Sequence, residues 1–178
     1  MIILISGEIG QGKSSLLGKA ADRLLAEGQE LGGFISERQM QNGLTSGYYL
    51  RLLPGNQVRT LSERCDPGRG QKPGTVCFGS WFFYKQAISD GLLAIKQGLA
   101  GKYLVIDEVG LWELNGGGWS PFLPQVFAKP DLIVLLGVRK PFVQELVNLY
   151  QLAAYSEINL NCGFDQAFDE LVRLLELA

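Results

Sequence analysis

The pattern of residue types changes twice within residues 2–27, and few folds contain such a succession of segments. Residues 2–5 are wholly apolar, residues 6–13 include three glycines, and residues 14–27 place leucines and alanines at helical spacing before Gly28. A short apolar run without polar alternation is typical of a strand buried on both faces, as in a parallel sheet covered by helices. The sequence therefore predicts a buried strand, a glycine-rich turn and an amphipathic helix in direct succession.

Further strands and helices alternate along the chain. Strands are predicted over residues 32–38, 46–53, 58–61, 102–107, 131–138 and 156–160, and helices over residues 80–99, 119–128, 141–150 and 164–175. Turn signals at Asn42 with Gly43 and at Pro54 with Gly55 make the first three of these strands an antiparallel meander. We therefore expect an α/β fold, a mainly parallel sheet flanked by helices with an inserted β-hairpin or meander, in a single domain over residues 1–178.

The segment between the meander and the next helix combines a polar loop with an aromatic run. Residues 63–75 are rich in glycine and proline and carry Arg64, Arg69 and Lys72, which indicates a loop that acts as a lid, contacts a second substrate or is simply solvated. Ser80 is the expected N-terminal cap of the following helix. The aromatic side chains of Phe78 and of residues 81–84 suit core packing better than stacking on a base.

The composition excludes several classes of protein. With 47% hydrophobic and 19% charged residues, the chain has enough apolar surface for a folded core. The net charge of −2 supplies no basic field for nucleic acid or anionic lipid, and no apolar run approaches the ~20 residues of a membrane span, so we expect a cytoplasmic protein. The chain has no histidine, so carboxylates, lysines or tyrosines must carry any acid–base chemistry.

The glycine-rich turn matches a phosphate-binding loop, because Gly7, Gly12, Lys13 and Ser14 have the spacing G-x-x-x-x-G-K-S. Its backbone N–H groups converge on phosphate oxygens at a helix N-terminus, where the peptide dipoles favour an anion. The predicted nucleotide-binding residues are Gly7, Glu8, Ile9, Gly10, Gln11, Gly12, Lys13, Ser14 and Ser15. Lys13 is expected to reach the β- and γ-phosphates, and the Glu8 carboxylate must point outward to avoid repelling them.

A phosphate-binding loop predicts an acidic partner at the end of an apolar strand beside the first strand. Residues 103–108, YLVIDE, supply it. Asp107 is expected to hold Mg²⁺ together with Ser14, and Glu108 to orient and deprotonate a water molecule or hydroxyl group. Arg139 follows another predicted strand and is the better candidate for stabilising charge on the phosphoryl group, with Arg38 as a second candidate or a surface arginine.

Four segments together resemble a known family. They are GEIGQGKSSL, GGFISER with its hairpin, VIDEVGLWEL, and the strand that ends at Val138 and Arg139. This order is similar to the small P-loop nucleoside-triphosphatase family of thermophiles and animals, with Leu111 where that family carries a lysine. The resemblance implies nucleoside triphosphate hydrolysis on a RecA-like or kinase-like sheet. It assigns site roles to Gly7, Gly12, Lys13, Ser14, Asp107, Glu108 and Glu113.

The favoured hypothesis is a Mg²⁺-dependent nucleoside triphosphatase acting on ATP or GTP, in which Lys13, Glu108 and Arg139 are the catalytic residues. Two alternatives use the same loop. One is a phosphotransferase that presents a small-molecule hydroxyl instead of water, and the other is a nucleotide-dependent switch that binds a protein partner and hydrolyses slowly. Base preference and the identity of any acceptor or partner are not encoded in a recognisable motif.

Overall fold

The structure is a computed structural model that describes residues 1–65 and 72–176. Its strands are β1 (Ile2–Gly7), β2 (Leu31–Gln41), β3 (Leu44–Leu53), β4 (Gln57–Arg64), β5 (Thr75–Phe78), β6 (Trp81–Tyr84), β7 (Tyr103–Val109), β8 (Ile133–Arg139) and β9 (Ser156–Asn159). Its α-helices are α1 (Lys13–Ala26), α2 (Lys85–Gly98), α3 (Leu111–Leu114), α4 (Leu123–Phe127), α5 (Val143–Leu149) and α6 (Phe164–Glu176). Within this described part, no helix has the length and apolarity that a membrane crossing requires.

The strands form one mixed sheet in the order β5-β6-β4-β3-β2-β7-β8-β1-β9. The half from β2 to β9 is parallel, and the half from β2 to β5 is antiparallel. The predicted α/β class, a sheet flanked by helices with an inserted meander, is confirmed. The antiparallel half is larger than the sequence predicted, because β6 and β5 extend the meander beyond β4.

Hydrophobic side chains cover both faces of the parallel half. Ile3 and Ile5 of β1 point into one cluster with α1 and α6, whereas Leu4 points into the opposite cluster, which includes residues of α2 and α4. All three are fully buried, and burying a side chain of this size stabilises the fold by roughly 1.5–3 kcal/mol. The burial confirms that β1 is covered on both faces, so it holds the turn that follows it in a rigid position.

The predicted helix over residues 80–99 is wrong at its start. Residues Trp81–Tyr84 form β6, which pairs with β4 and β5, and α2 begins only at Lys85 after the N-cap Tyr84. Four consecutive aromatic residues fit the pleated surface of a sheet well, and pairing on both sides outweighs the helical periodicity. Ser80 therefore lies before a strand and caps no helix.

The predicted loop over residues 63–75 is shorter at both ends. Arg64 is the last residue of β4, and Thr75 is the first residue of β5. Lys72 lies between them, where its ammonium group pairs with Glu63 at 2.6 Å. Arg69 lies outside the described residues.

The predicted position in the sheet of the strand that carries Asp107 is also wrong. The strand that ends in Asp107 was expected beside β1, but β8 lies between β7 and β1 and pairs with both in parallel. Asp107 nevertheless reaches α1, since the residue of β8 that it passes is Gly137. A Cβ atom on Gly137 would lie 2.4 Å from Asp107 Oδ1 and 3.0 Å from Leu17 Cδ1 of α1. Because Gly137 has no side chain, the Asp107 carboxylate has the space to extend past β8 toward α1.

Candidate active site

The turn between β1 and α1 has the backbone that anion binding requires. Gly10 and Gly12 have φ values of 86° and 96°, in the left-handed region where a side chain is unfavourable. Among the described residues no side chain caps α1, so the N–H groups of its first turn remain available to a ligand. The Glu8 side chain is exposed, and the charge of its carboxylate acts on Lys13.

Lys13 is held inside the loop. Its side chain is only 4% exposed, and Nζ donates hydrogen bonds to the carbonyl oxygens of Gly7 at 3.0 Å and Glu8 at 2.9 Å. Burial lowers the pKa of Lys13, while the carboxylates of Glu108 and Asp107 act in the opposite direction. The ammonium group therefore lies between the loop carbonyls and the acidic residues, with bonds it can exchange for phosphate oxygens.

Gln11 connects the loop to the short turn that follows β9. Its Oε1 accepts a hydrogen bond from the Glu8 N–H at 2.6 Å, and its Nε2 donates to Asn161 Oδ1 at 3.0 Å. A Cβ atom on Gly7 would lie 2.7 Å from Gln11 Oε1, so glycine is needed there for the side chain to fold over the loop. Asn161 could not be predicted from the sequence, because it lies 150 residues from Gln11 and belongs to no motif itself.

Asp107 is fully buried and fixed by backbone donors. Its Oδ1 accepts from the Glu108 N–H at 2.8 Å, its Oδ2 accepts from the Ser36 N–H at 3.0 Å, and the Ser14 side chain is a further hydrogen-bonding neighbour. Burial, followed by the nearby charge of Glu108, raises the pKa of Asp107. A cation beside this carboxylate would favour its charged form.

Glu108 has a strained backbone. Its φ of 58° lies in the left-handed region, which costs a non-glycine residue about 1–2 kcal/mol, and the pairing of β7 with β8 shifts register between Ile106 and Val109. Such irregularities re-aim side chains at functional sites. Here Glu108 Oε2 accepts a 3.4 Å hydrogen bond from Arg139 Nε. Arg139 lies opposite Gly7 in the sheet register, which places it beside the start of the loop.

Arg38 also reaches the phosphate-binding loop. A Cβ atom on Gly10 would lie 3.6 Å from Arg38 Nη1, so the guanidinium group lies against the loop. The Arg38 side chain hydrogen-bonds Tyr48 on the neighbouring strand β3. The hairpin that carries both residues thus contributes a cation to the same site.

Glu113 holds the segment after β7 in place. It is 3% exposed, its Oε2 accepts from the Gly110 N–H at 2.9 Å, and its Oε1 accepts a 3.5 Å hydrogen bond from the Trp119 N–H. Burial raises the pKa of Glu113 to about 7. A Cβ atom on Gly118 would lie 2.0 Å from Glu113 Oε1. Glu113, to which the family resemblance assigns a site role, therefore holds the loop after Asp107 and Glu108 in place.

A cavity of about 270 Å³ adjoins Glu108 and Arg139. Its aromatic lining includes Phe78, Trp81 and Phe83, which the sequence assigned to core packing. Phe82 of the same run is buried instead. The aromatic run is thus divided between the core and a cavity beside the site, because alternate residues of a strand face opposite sides of the sheet.

Ser14 and Asp107 are a donor set that suits Mg²⁺. The two side chains offer hydroxyl and carboxylate oxygens, and Mg²⁺ takes few protein ligands because it keeps several waters and substrate phosphates. Within the described residues, no group of three or more His, Cys, Asp or Glu side chains is arranged to hold a metal ion without substrate. The arrangement fits an ion that binds together with a triphosphate.

The chain is similar to known nucleoside triphosphatases over nearly its whole length. It is 25% identical over 174 residues to nucleoside-triphosphatase THEP1 of Methanocaldococcus jannaschii, covering 97% of this chain and 98% of the relative. It is 28% identical over 137 residues to a cancer-related nucleoside-triphosphatase homolog of Bos taurus, covering 75% and 72%. The solution structure of a human cancer-related nucleoside triphosphatase has the same fold, with a TM-score of 0.74, 22% identity and coverage of 99% and 97%. The model of the NTPase family matches residues 2–161, and the chain is therefore an enzyme of the NTPase family.

Proposed function

We propose that this enzyme hydrolyses nucleoside triphosphates such as ATP and GTP to the diphosphate and phosphate with the help of Mg²⁺. The observation that carries the proposal is the convergence of Lys13, Asp107, Glu108 and Arg139 on the mouth of the glycine-rich loop. Phosphoryl transfer is catalysed mainly by positioning and by charge stabilisation, and these four side chains supply both.

Each residue has a distinct part in the proposed reaction. The backbone N–H groups at the start of α1 bind phosphate oxygens, and Lys13 exchanges its bonds to Gly7 and Glu8 for bonds to the phosphates. Glu108 accepts a proton from the attacking water, and Arg139 neutralises the charge that develops on the phosphoryl group. Mg²⁺, held by Ser14 and Asp107 when bound, would neutralise charge on the phosphates.

The proposal is tested by measuring phosphate release from ATP and from GTP, with and without Mg²⁺, beside a direct nucleotide-binding titration. Lys13→Ala should lose nucleotide binding and phosphate release together, since the loop then lacks its buried cation. The matched control is Lys96→Ala, which removes an exposed lysine from α2 and should leave both unchanged. Tight binding without release of phosphate under any of these conditions would refute hydrolysis as the function.

A further inference from the structure

The cavity beside Glu108, named here the aromatic cavity, is separate from the phosphate-binding loop. It shares Glu108 and Arg139 with the candidate site, but none of the described residues that line it belongs to the loop. Its lining includes the aromatic side chains of Tyr48, Phe78, Trp81, Phe83, Trp112 and Phe142. The proposed hydrolysis assigns no role to these six side chains.

Contacts between rings hold the walls of the aromatic cavity in place. Trp112 stacks on Phe78 with ring centroids 5.5 Å apart and contacts Phe83 at 4.4 Å, while Trp81 meets Tyr48 edge-on at 5.3 Å. A cavity of ~150 Å³ is large enough to bind benzene. At about 270 Å³, the aromatic cavity has room for two fused rings, and aromatic walls of this kind suit a planar ligand.

The lining of the aromatic cavity also contains polar groups, and one of them is unpaired within the part of the chain that the structure describes. Ser36 is 2% exposed, and its Oγ has no hydrogen-bond partner among the described residues. An unpaired buried hydroxyl costs roughly 1–3 kcal/mol, which a ligand could offset. The lining also includes the Glu108 carboxylate, which accepts hydrogen bonds when ionised, and the Arg139 guanidinium, which only donates. A ligand hydroxyl group can satisfy all three kinds of partner, because it both donates and accepts.

The nucleotide held by the loop cannot place its own base in this cavity. A phosphate-binding loop cradles the α- and β-phosphates, and its lysine reaches toward the γ-phosphate, so Glu108 and Arg139 face the terminal phosphoryl group. The base lies at the opposite end of the triphosphate chain. The aromatic cavity therefore lies beyond the γ-phosphate, where a second molecule would enter.

We propose that the aromatic cavity binds a planar aromatic alcohol of one or two rings, whose hydroxyl group donates a hydrogen bond to Glu108. The ring packs against Trp112 and Phe83, and the hydroxyl oxygen accepts from both Ser36 Oγ and Arg139. Because Glu108 is then occupied, the ligand displaces the attacking water and lowers phosphate release. That last consequence rests on the proposed function, whereas binding of the alcohol does not.

The test is an NMR titration of the intact protein with 2-naphthol, with 2-methoxynaphthalene as a probe that keeps the rings but cannot donate. We expect 2-naphthol to bind more tightly. Ser36→Ala keeps the backbone N–H that holds Asp107 and should weaken 2-naphthol about threefold to tenfold without loss of folding. Trp112→Leu removes an aromatic wall and should weaken both probes by about threefold to tenfold. The matched control Tyr155→Leu, on a partly exposed ring outside the cavity, should change neither affinity.

The two proposals fail independently. If 2-naphthol does not bind, or binds equally well to the wild-type protein, Ser36→Ala and Trp112→Leu, the aromatic cavity is not its site, whatever the rate of phosphate release. If it binds as expected but the protein releases no phosphate from ATP or GTP, the cavity proposal stands and the hydrolysis proposal falls. In an active enzyme, 2-naphthol that fills the cavity without slowing phosphate release would overturn the placement of its hydroxyl at Glu108.

Discussion

Replacing Gly137 with alanine should remove most of the turnover of the enzyme while the phosphate-binding loop stays intact. The new Cβ atom would lie 2.4 Å from Asp107 Oδ1 and 3.3 Å from the Glu108 nitrogen. Carbon and oxygen atoms in close contact are normally about 3.3–3.6 Å apart, so the carboxylate must move by roughly 1 Å. A displacement of about 1 Å at a catalytic centre costs ~10²-fold in rate, and the overpacking itself should cost about 1–3 kcal/mol of stability.

Gly32→Ala is the matched control. Its Cβ atom would meet the Gly98 Cα at 2.4 Å, an equally close contact, but between β2 and α2 rather than at Asp107. Both variants should lose stability in a denaturant titration, and only Gly137→Ala should lose turnover when rates are compared per folded molecule. A loss of turnover in Gly137→Ala no greater than that in Gly32→Ala would refute the argument that Gly137 makes room for Asp107.

Three further outcomes follow from the site. The pKa of Glu113 is about 7 in the folded protein against an ordinary 4.5, so the stability that goes with its protonation is present below pH 4.5 and lost as the pH rises through 7. In denaturant titrations, the free energy of unfolding of Glu113→Gln should therefore rise relative to that of the wild type between about pH 5 and about pH 8, by at most about 3 kcal/mol. A difference that is the same at both pH values would contradict this. At the left-handed φ of Glu108, Glu108→Gly should be more stable than Glu108→Ala by about 1 kcal/mol in thermal unfolding, and the reverse order would argue against backbone strain. Arg139→Ala should lower kcat by ~10²-fold or more, and an unchanged kcat would remove Arg139 from the mechanism.

The phosphate-binding loop could be predicted because its requirements are local. The left-handed conformations at Gly10 and Gly12, the buried Lys13 and the helix that begins there all follow from adjacent residues. The same holds for the Asn42–Gly43 turn, where both residues have positive φ. Contiguous residues specify such features, so no knowledge of the sheet order is needed.

The error at residues 80–84 shows where periodicity is a weak signal. Apolar residues at 84, 88, 92, 95 and 99 fit a helix, but the aromatic residues from Trp81 to Tyr84 are good strand formers. The pairing of β6 with β4 decided between the two, and that pairing joins segments separated by the 66–71 region of the chain. Strand propensity alone could have signalled the ambiguity, but it could not have identified the partner strand.

The residues that complete the site depend on sheet order, which local patterns do not encode. Gly137 matters only because β8 separates β7 from β1, and Ser36 matters because the pairing of β2 with β7 brings its N–H to Asp107. Asn161 meets Gln11 only after β9 has joined the edge of β1. Each of these contacts joins segments that are far apart in the sequence. Local patterns therefore predict the candidate site side chains, but not the residues that hold those side chains in position.

The role of Glu108 in hydrolysis is tested by comparing nucleotide binding and Mg²⁺-dependent phosphate release in the wild type and in Glu108→Gln. The substitution keeps the size of the side chain but removes the carboxylate that accepts the proton. We expect Glu108→Gln to bind ATP or GTP as the wild type does and to release phosphate ~10²-fold or more slowly. Unaltered phosphate release in this variant, with the wild type active, would contradict the assignment of Glu108 as the base.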